Sequence, residues 1–449
     1  MPKAVGILWL IIWGDLGMSF EWPIKTLGEV CSKITDGAHH SPKSVAIGKP
    51  MASVKDLTRF GVDLSEARLI SNEDFDFLVR QGCKPEIEDV LISKDGNSAL
   101  DTVCNVKQPL DAVLLSSVAI LRPNLLLITS DYLKYYLSSK DVIEYLKSNF
   151  ISGAAIPRIV LKDFKKAEIQ LPPLDIQNKI TSILNPLDNR ISLLRETNIT
   201  LEAIAQTLFK SWFVDFDPVK AKAEGKQPEG MDEATAALFP SEFEESALGL
   251  IPKGWRVSSV NESFILTMGQ SPSGSTYNES GDGLPFYQGR TDFGFRFPTQ
   301  RIFCNAPTRF AEIGDTLVSV RAPVGDVNMA LERCCIGRGV SSVRHPLGYR
   351  GFTFYSIKNL RSHFELFESE GTVFGSINKK DFQELPIIKP INNVLKAFDE
   401  IVSVMDDRIT INEEKLRTLT TLRDTLLPRL ISGQLRINQA QDVINEVGA

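Results

Sequence analysis

The chain has 449 residues, with 50 Lys and Arg against 56 Asp and Glu, and a formal net charge of -6. At 43% hydrophobic and 24% charged residues its composition is that of an ordinary globular protein, which excludes wholesale disorder, a fibrous repeat and a membrane bundle. The length suggests about three domains, or two plus something extended, and the mild acidity on its face argues against a nucleic-acid partner. The first notable segment is Ala4–Trp13, an apolar run behind Lys3. It is too short to span a bilayer and has the size of a signal-peptide core. No small-x-small cleavage site follows, and Met18 directly precedes the first strand-like stretch. Residues 1–17 therefore read as an extension ahead of a true start at Met18. Six cysteines without a C-x-x-C pair read as reduced, buried thiols of a cytoplasmic protein.

A first head is expected over 18–174. Asp89–Ser93 and Ala112–Arg122 are β-branched runs bounded by turn residues, and Tyr132–Asn149 has helical character. Its candidate binding residues are Lys43, Ser53, Lys55, Arg59, Lys94, Asn97 and Arg158. Asp36, His39 and His40 in the loop TDGAHHSP lack a third strong ligand, so a polar loop is the better reading than a metal site. Over 175–214, Ile176, Ile180, Ile183, Leu187, Ile191, Leu194, Asn198, Leu201, Ala205, Leu208 and Trp212 recur at steps of 3 or 4. That alternation is a coiled-coil seam on a helix of about 57 Å. Two steps of four around Leu187 make a stutter, and Pro186 predicts a kink or break.

The segment 215–250 carries nine acids against three lysines, a net of -6. It reads as a partly extended acidic linker with one short helix, either a docking strap or a solvated connector. A second head is expected over 251–391, with a strand at Thr316–Arg321 and a helix at Gly351–Glu368. From Arg290 to Arg350 there are nine arginines and no lysine, for a net of +4. A planar guanidinium can read guanine O6/N7 and grip phosphate; the alternative is a set of surface salt bridges. Candidates here are Gln270, Tyr287, Gln288, Arg290, Arg296, Arg321, Arg338 and Lys379. The last segment, 392–449, repeats the seam from Val394 to Leu430, with Asn412 and Arg423 as its polar members.

The two halves are copies of one plan. Positions 153–213 lie over 371–431 without a gap, with identical pairs from Gly153/Gly371 through Asp188/Asp406 to Leu208/Leu426. Upstream, GKPMASVKDL (48–57) matches GLPFYQGRTDF (283–293), and the turn after Asp89–Ser93 matches Arg321–Gly325. The expected fold class is α+β: two similar α/β heads separated by two long antiparallel coiled-coil helices in a pseudo-two-fold repeat. There is no G-x-x-x-x-G-K-[ST], no complete G-x-G-x-x-G and no [ND]-P-P-[FY]. With four histidines no Ser/His/Asp arrangement is defensible, and Asp406, Glu413 and Glu414 read as a solvated helix face. No catalytic centre and no metal site are expected.

These residues resemble the DNA-specificity subunits of type I restriction–modification systems. The resemblance rests on the head–helix–head–helix order and the G-x-P…D element of each head (Gly48, Pro50, Asp56; Gly283, Pro285, Asp292). LPPL before the first helix adds to it, as do the block LEAIAQTLFKSWFVDFDPVKAKAEG (201–225) and LGLIPKGW (248–255). It implies that each head is a target-recognition domain for half of a split double-stranded DNA site. It implies helices that set the spacing and dock two methyltransferase subunits, with two translocase/endonuclease subunits in the assembly. S-adenosylmethionine, ATP and Mg would belong to those partners, with no cofactor in this chain and no membrane. The rival reading is a two-headed coiled-coil scaffold that binds proteins without DNA specificity. The charge no longer opposes DNA, because the acidic linker alone carries the whole net of -6. Intact-mass measurement is expected to find a chain beginning at Met18; a cleaved, exported product would overturn that start.

Overall fold

The computed structural model describes residues 22–153, 157–369 and 375–447. The extension 1–17 and the start at Met18 lie outside them. The chain divides into two compact units. One runs up to Arg195 and resumes at Glu414; the other is Glu196–Glu413. The expected linear series of domains is thus replaced by an interleaved one, in which each long helix gives residues to both units.

In the first unit Ile24–Thr26 pairs antiparallel with Glu168–Gln170. A four-stranded sheet has the order Cys31–Asp36, Val118–Pro123, Val90–Ser93, Val103–Asn105. Val90–Ser93 is buried at every position, which is why it reads as an uninterrupted apolar run rather than an alternation. A smaller sheet orders Arg68–Ile70, Lys49–Ala52 and Val113–Leu114, the last pair parallel. The helical stretch after it is two helices, Ser130–Ser138 and Lys140–Phe150, broken at Ser139. Thr129 caps the first, its hydroxyl accepting from Tyr132 N at 3.2 Å.

The second unit repeats this wiring. Arg256–Ser259 pairs with Pro386–Lys389. Ile265–Met268, Val340–Arg344, Thr316–Ser319 and Val327–Met329 form a four-stranded sheet in the same order. Leu284–Tyr287 lies parallel to Cys334–Ile336, and Arg350–Asn359 and Arg361–Ser369 replace the single expected helix. Among the described residues no helix is long and apolar enough to cross a membrane.

The long helices are Leu174–Phe213 and Asn392–Ile431, 40 residues each. In the first unit Ile183, Leu187, Ile191 and Leu194 share a core with Leu416, Leu419, Leu426 and Leu430. In the second, Ala205, Phe209 and Trp212 share one with Val394, Phe398 and Ile409. The polar seam members all have partners. Asn412 donates to Asn198 at 2.8 Å and Asn198 to Glu413 at 2.7 Å, while Arg423 donates to Asp188 at 3.1 Å. Pro186 does not end the first helix as expected. Its ring is exposed, so water can satisfy the carbonyl it leaves unbonded. Its neighbours are fixed from the side, Asn185 by Asp131 at 3.0 Å and Asp188 by Lys134 at 2.7 Å.

The acidic segment is also more ordered than expected. It forms helices Asp217–Ala223 and Glu233–Ala237 and a hairpin of Phe243–Ser246 with Gly249–Pro252. Phe239 sits edge-on to Trp212 at 5.0 Å and Phe216 edge-on to Trp255 at 5.7 Å. Lys222 closes the strap by donating to the Ala236 carbonyl at 2.9 Å. It is not a free connector, because these aromatic anchors pin it to its own unit while most of its surface stays exposed. Replacing Asn198 with Leu strips a buried amide of its acceptor and is expected to cost ~1–3 kcal/mol. The Asn198→Leu/Asn412→Leu pair should recover most of that loss in urea titrations followed by Trp212 and Trp255 fluorescence.

Candidate nucleic-acid interface

Each head gathers loops at the same end of its parallel strand pair. In the first head Ser53 opens a short turn: its N–H donates to Asp56 Oδ2 at 2.6 Å, and its hydroxyl accepts from Lys55 N at 3.4 Å. The Ser117 hydroxyl accepts from Val54 N at 3.2 Å, and the Ser117 carbonyl accepts from Lys94 N at 2.8 Å. The turn after Val90–Ser93 is bridged to Arg158 through Asp95. Ser53, Lys94, Asn97 and Arg158 are thus brought together by backbone contacts, with Asn97, Arg158 and the nearby Lys55 exposed. Lys43 is exposed on the segment leading to Lys49.

Two first-head candidates are corrected. Lys94 is buried, its ammonium 2.9 Å from Asp95 and 3.4 Å from Asp36. Arg59 turns inward, 3.7 Å from Asp188 of the long helix. Burial lowers its pKa, and the neighbouring Arg423 charge adds to this.

In the second head Gly269 N donates to Val340 O and Gln270 N to Ile336 O, both at 3.0 Å. Arg338 N donates to Ser271 Oγ at 3.2 Å. Gln270, Gln288, Arg290, Arg321, Arg338 and Lys379 are exposed. Tyr287 is corrected: it is buried among Leu317, Ile336 and Val340. Arg296 is corrected too, at 1% exposure. Its guanidinium lies over the Phe354 ring at 4.1 Å, 3.3 Å from Asp406, and donates to Tyr355 Oη at 2.8 Å and to Glu202.

Much of the arginine-rich stretch is instead paired within the head. Arg290 pairs with Asp326 at 3.1 Å, Arg301 with Asp292 at 3.0 Å and Arg333 with Glu312 at 3.2 Å. Arg344 pairs with Asp315, and Arg350 with Asp407. Sequence reasoning missed Asp95, Ser117 and Ser271, the small side chains that shape these loops. The signal for Asp95 lay in the repeat, since its turn aligns with Arg321–Gly325. Among the described residues no group of His, Cys, Asp and Glu is placed to hold a metal ion.

The inward arginines form matching anchors. Asp188 receives Lys134, Arg59 and Arg423, and its carboxylate accepts from Tyr135 Oη at 3.0 Å. Burial opposes its charge, but Lys134, Arg59 and Arg423 outweigh burial and keep its pKa below the ordinary aspartate value. At Asp406 burial wins over Arg296 and Arg350, and the pKa rises to about 6.

A duplicated α/β binding protein, with one loop cluster per head and different side chains on each, is the class these features define. Residues 21–203 match the family model described as Type I restriction modification DNA specificity domain. Similarity to such proteins extends along almost the whole chain. It is 27% identical, over 93% of its length and 94% of the relative's, to a putative type I restriction enzyme MjaX specificity subunit of Methanocaldococcus jannaschii. It is 28% identical, over 72% and 81%, to the type I restriction enzyme HindI specificity subunit of Haemophilus influenzae. A crystal structure of a type I restriction-modification system S subunit from M. genitalium shares the fold, with a TM-score of 0.57 at 16% identity over 93% of this chain and 97% of that one.

The two anchors predict opposite pH responses. Folded Asp406 holds its proton more tightly than the unfolded chain does, so its contribution to stability is greatest below about pH 4 and declines as pH rises through about 6. Asp188, with its lowered pKa, contributes above the ordinary aspartate range and loses that contribution on acidification. Carboxyl-carbon NMR titration should place the Asp406 midpoint near 6 and the Asp188 midpoint below that of a free aspartate. Removing the Arg296 guanidinium by Arg296→Ala should cost ~3–5 kcal/mol, the penalty of leaving a buried charge unpaired.

Proposed function

We propose that this chain is the sequence-specific DNA-recognition subunit of a type I restriction–modification complex. Each head would read one half of a bipartite double-stranded site. The long helices would form an antiparallel coiled coil that sets the half-site spacing and docks two methyltransferase subunits, with two translocase/endonuclease subunits completing a cytoplasmic assembly. The chain would itself be non-catalytic, and S-adenosylmethionine, ATP and Mg would act in the partners. The observation that carries this reading is the repeated strand order with different exposed side chains on each loop cluster. One scaffold furnished twice in this way suits two different base sequences. Phosphate contacts would supply affinity, and side chains reaching base edges would supply the choice of sequence.

The test is binding of the chain, co-purified with its methyltransferase subunits, to duplex DNA across a salt series. Log affinity should fall linearly and steeply with log salt as counterions are released. N6-methyladenine mapping in the host should return a split motif. Salt-independent association and an absence of any motif would favour the protein-binding scaffold instead.

A further inference from the structure

If the heads read two half-sites as proposed above, their reading positions can be matched residue by residue. The parallel strand pairs give the reference. Met51 and Ala52 lie beside Val113 and Leu114 in one head, and Phe286 and Tyr287 beside Cys335 and Ile336 in the other. Continuing along each strand sets Ser53 against Gln288 and Ser116 against Arg338. A second match comes from the turn that follows the central strand. Ile159 N donates to Lys94 O at 3.0 Å, and Ile377 N to Val320 O at 3.1 Å. Asp95 bridges Arg158, and Arg321 bridges Ser376. Asp95 therefore stands where the second head has Arg321.

In the second head these positions converge tightly. A Cβ on Gly339 would come within 2.2 Å of the Gln288 carbonyl oxygen, and one on Gly337 within 3.2 Å of Gln288 Cα. The Gly339 carbonyl also accepts from Val320 N at 2.9 Å. Residue 339 has no room for a side chain in this approach, and one at 337 would crowd Phe286 and Gln288. The approach sets Gln288, Arg321 and Arg338 in one exposed cluster on fixed backbone. Neither Arg321 nor Arg338 has an ion pair or side-chain hydrogen bond among the described residues, in contrast to the paired Arg290, Arg301 and Arg333.

We infer that Arg321 and Arg338 are guanine-reading residues of the second head, and that the first head has no counterpart for them. Guanine offers two acceptors, O6 and N7, to the major groove, and an uncommitted guanidinium matches both at once. Asp95, acceptor-only and held by Lys94 at 2.9 and 3.0 Å, would be repelled by that edge, and Ser116 is too short to span it. The two half-sites therefore differ in kind at these positions.

The complex with its methyltransferase subunits tests this. The methylation motif is mapped for wild type, Arg321→Ala and Arg338→Ala, and duplex binding is measured for each. Each variant should lose the requirement for one guanine in the same half-site and bind the original site roughly 5- to 150-fold more weakly. The other half-site should keep its bases. Replacing the released guanine with 7-deazaguanine, which lacks N7, should weaken wild type and leave the variant unchanged. Weakening that is equal on every duplex, with the motif intact, would make these phosphate contacts and overturn the assignment, as would a motif unaltered at full affinity. A wild-type complex that binds no split site would instead overturn the DNA reading beneath it.

Discussion

A buried carboxylate on each long helix is the contact on which the placement of each head depends. Asp188 and Asp406 are the same position of the repeat, and each receives an arginine from a turn of its own head, Arg59 or Arg296. Taking these charges out of water is costly; the partners around Asp188 outweigh that cost, whereas at Asp406 burial prevails and raises its pKa. Tyr135 and Tyr355 come from matching head helices and contribute hydroxyls to the two clusters. An apolar joint of equal size would hold as well but slide more easily. A charge cluster with few permitted geometries fixes register, and register is what a head needs if its loops are to meet a partner at a defined angle.

That arrangement divides the arginines into two populations. Those facing acids across a short distance shape the scaffold, as Arg301 does with Asp292 and Arg333 with Glu312. Arg321 and Arg338, exposed at the loop cluster, have no ion pair among the described residues. The same logic removes Lys94 from any surface role: three charges from Asp36, Lys94 and Asp95 satisfy one another at the base of the turn, leaving Asn97 and Arg158 as its outward members.

The repeat, the seam and most strands were legible because they follow from spacing alone. Even the polar interruptions of the seam were visible, though not their partners: Asn198 meets Asn412, and nothing local signals a contact so distant along the chain. The inward turn of Arg296 was illegible for the same reason, since Glu202 and Asp406 lie far away in sequence. The sequence GFRFP (294–298) looks like an aromatic surface with an outward arginine until its partners are known. Pro186 misled because helix rules describe an isolated helix, and here side contacts from Asp131 and Lys134 hold the turns on both sides. The acidic strap misled because charge dominates its composition, while two phenylalanines decide its position.

The interleaving of the units also bears on the order in which the chain becomes whole. Glu196–Glu413 is a continuous stretch, so everything its core needs has been synthesised once Glu413 has left the ribosome. The other unit begins first and is completed last, because Leu416, Leu419, Leu426 and Leu430 fill its core against a helix made more than two hundred residues earlier. Until then that helix carries an uncovered apolar stripe, the kind of surface that invites aggregation or a chaperone during synthesis. A premature stop codon close to the end of the message would thus spare the head translated second and strike the head translated first.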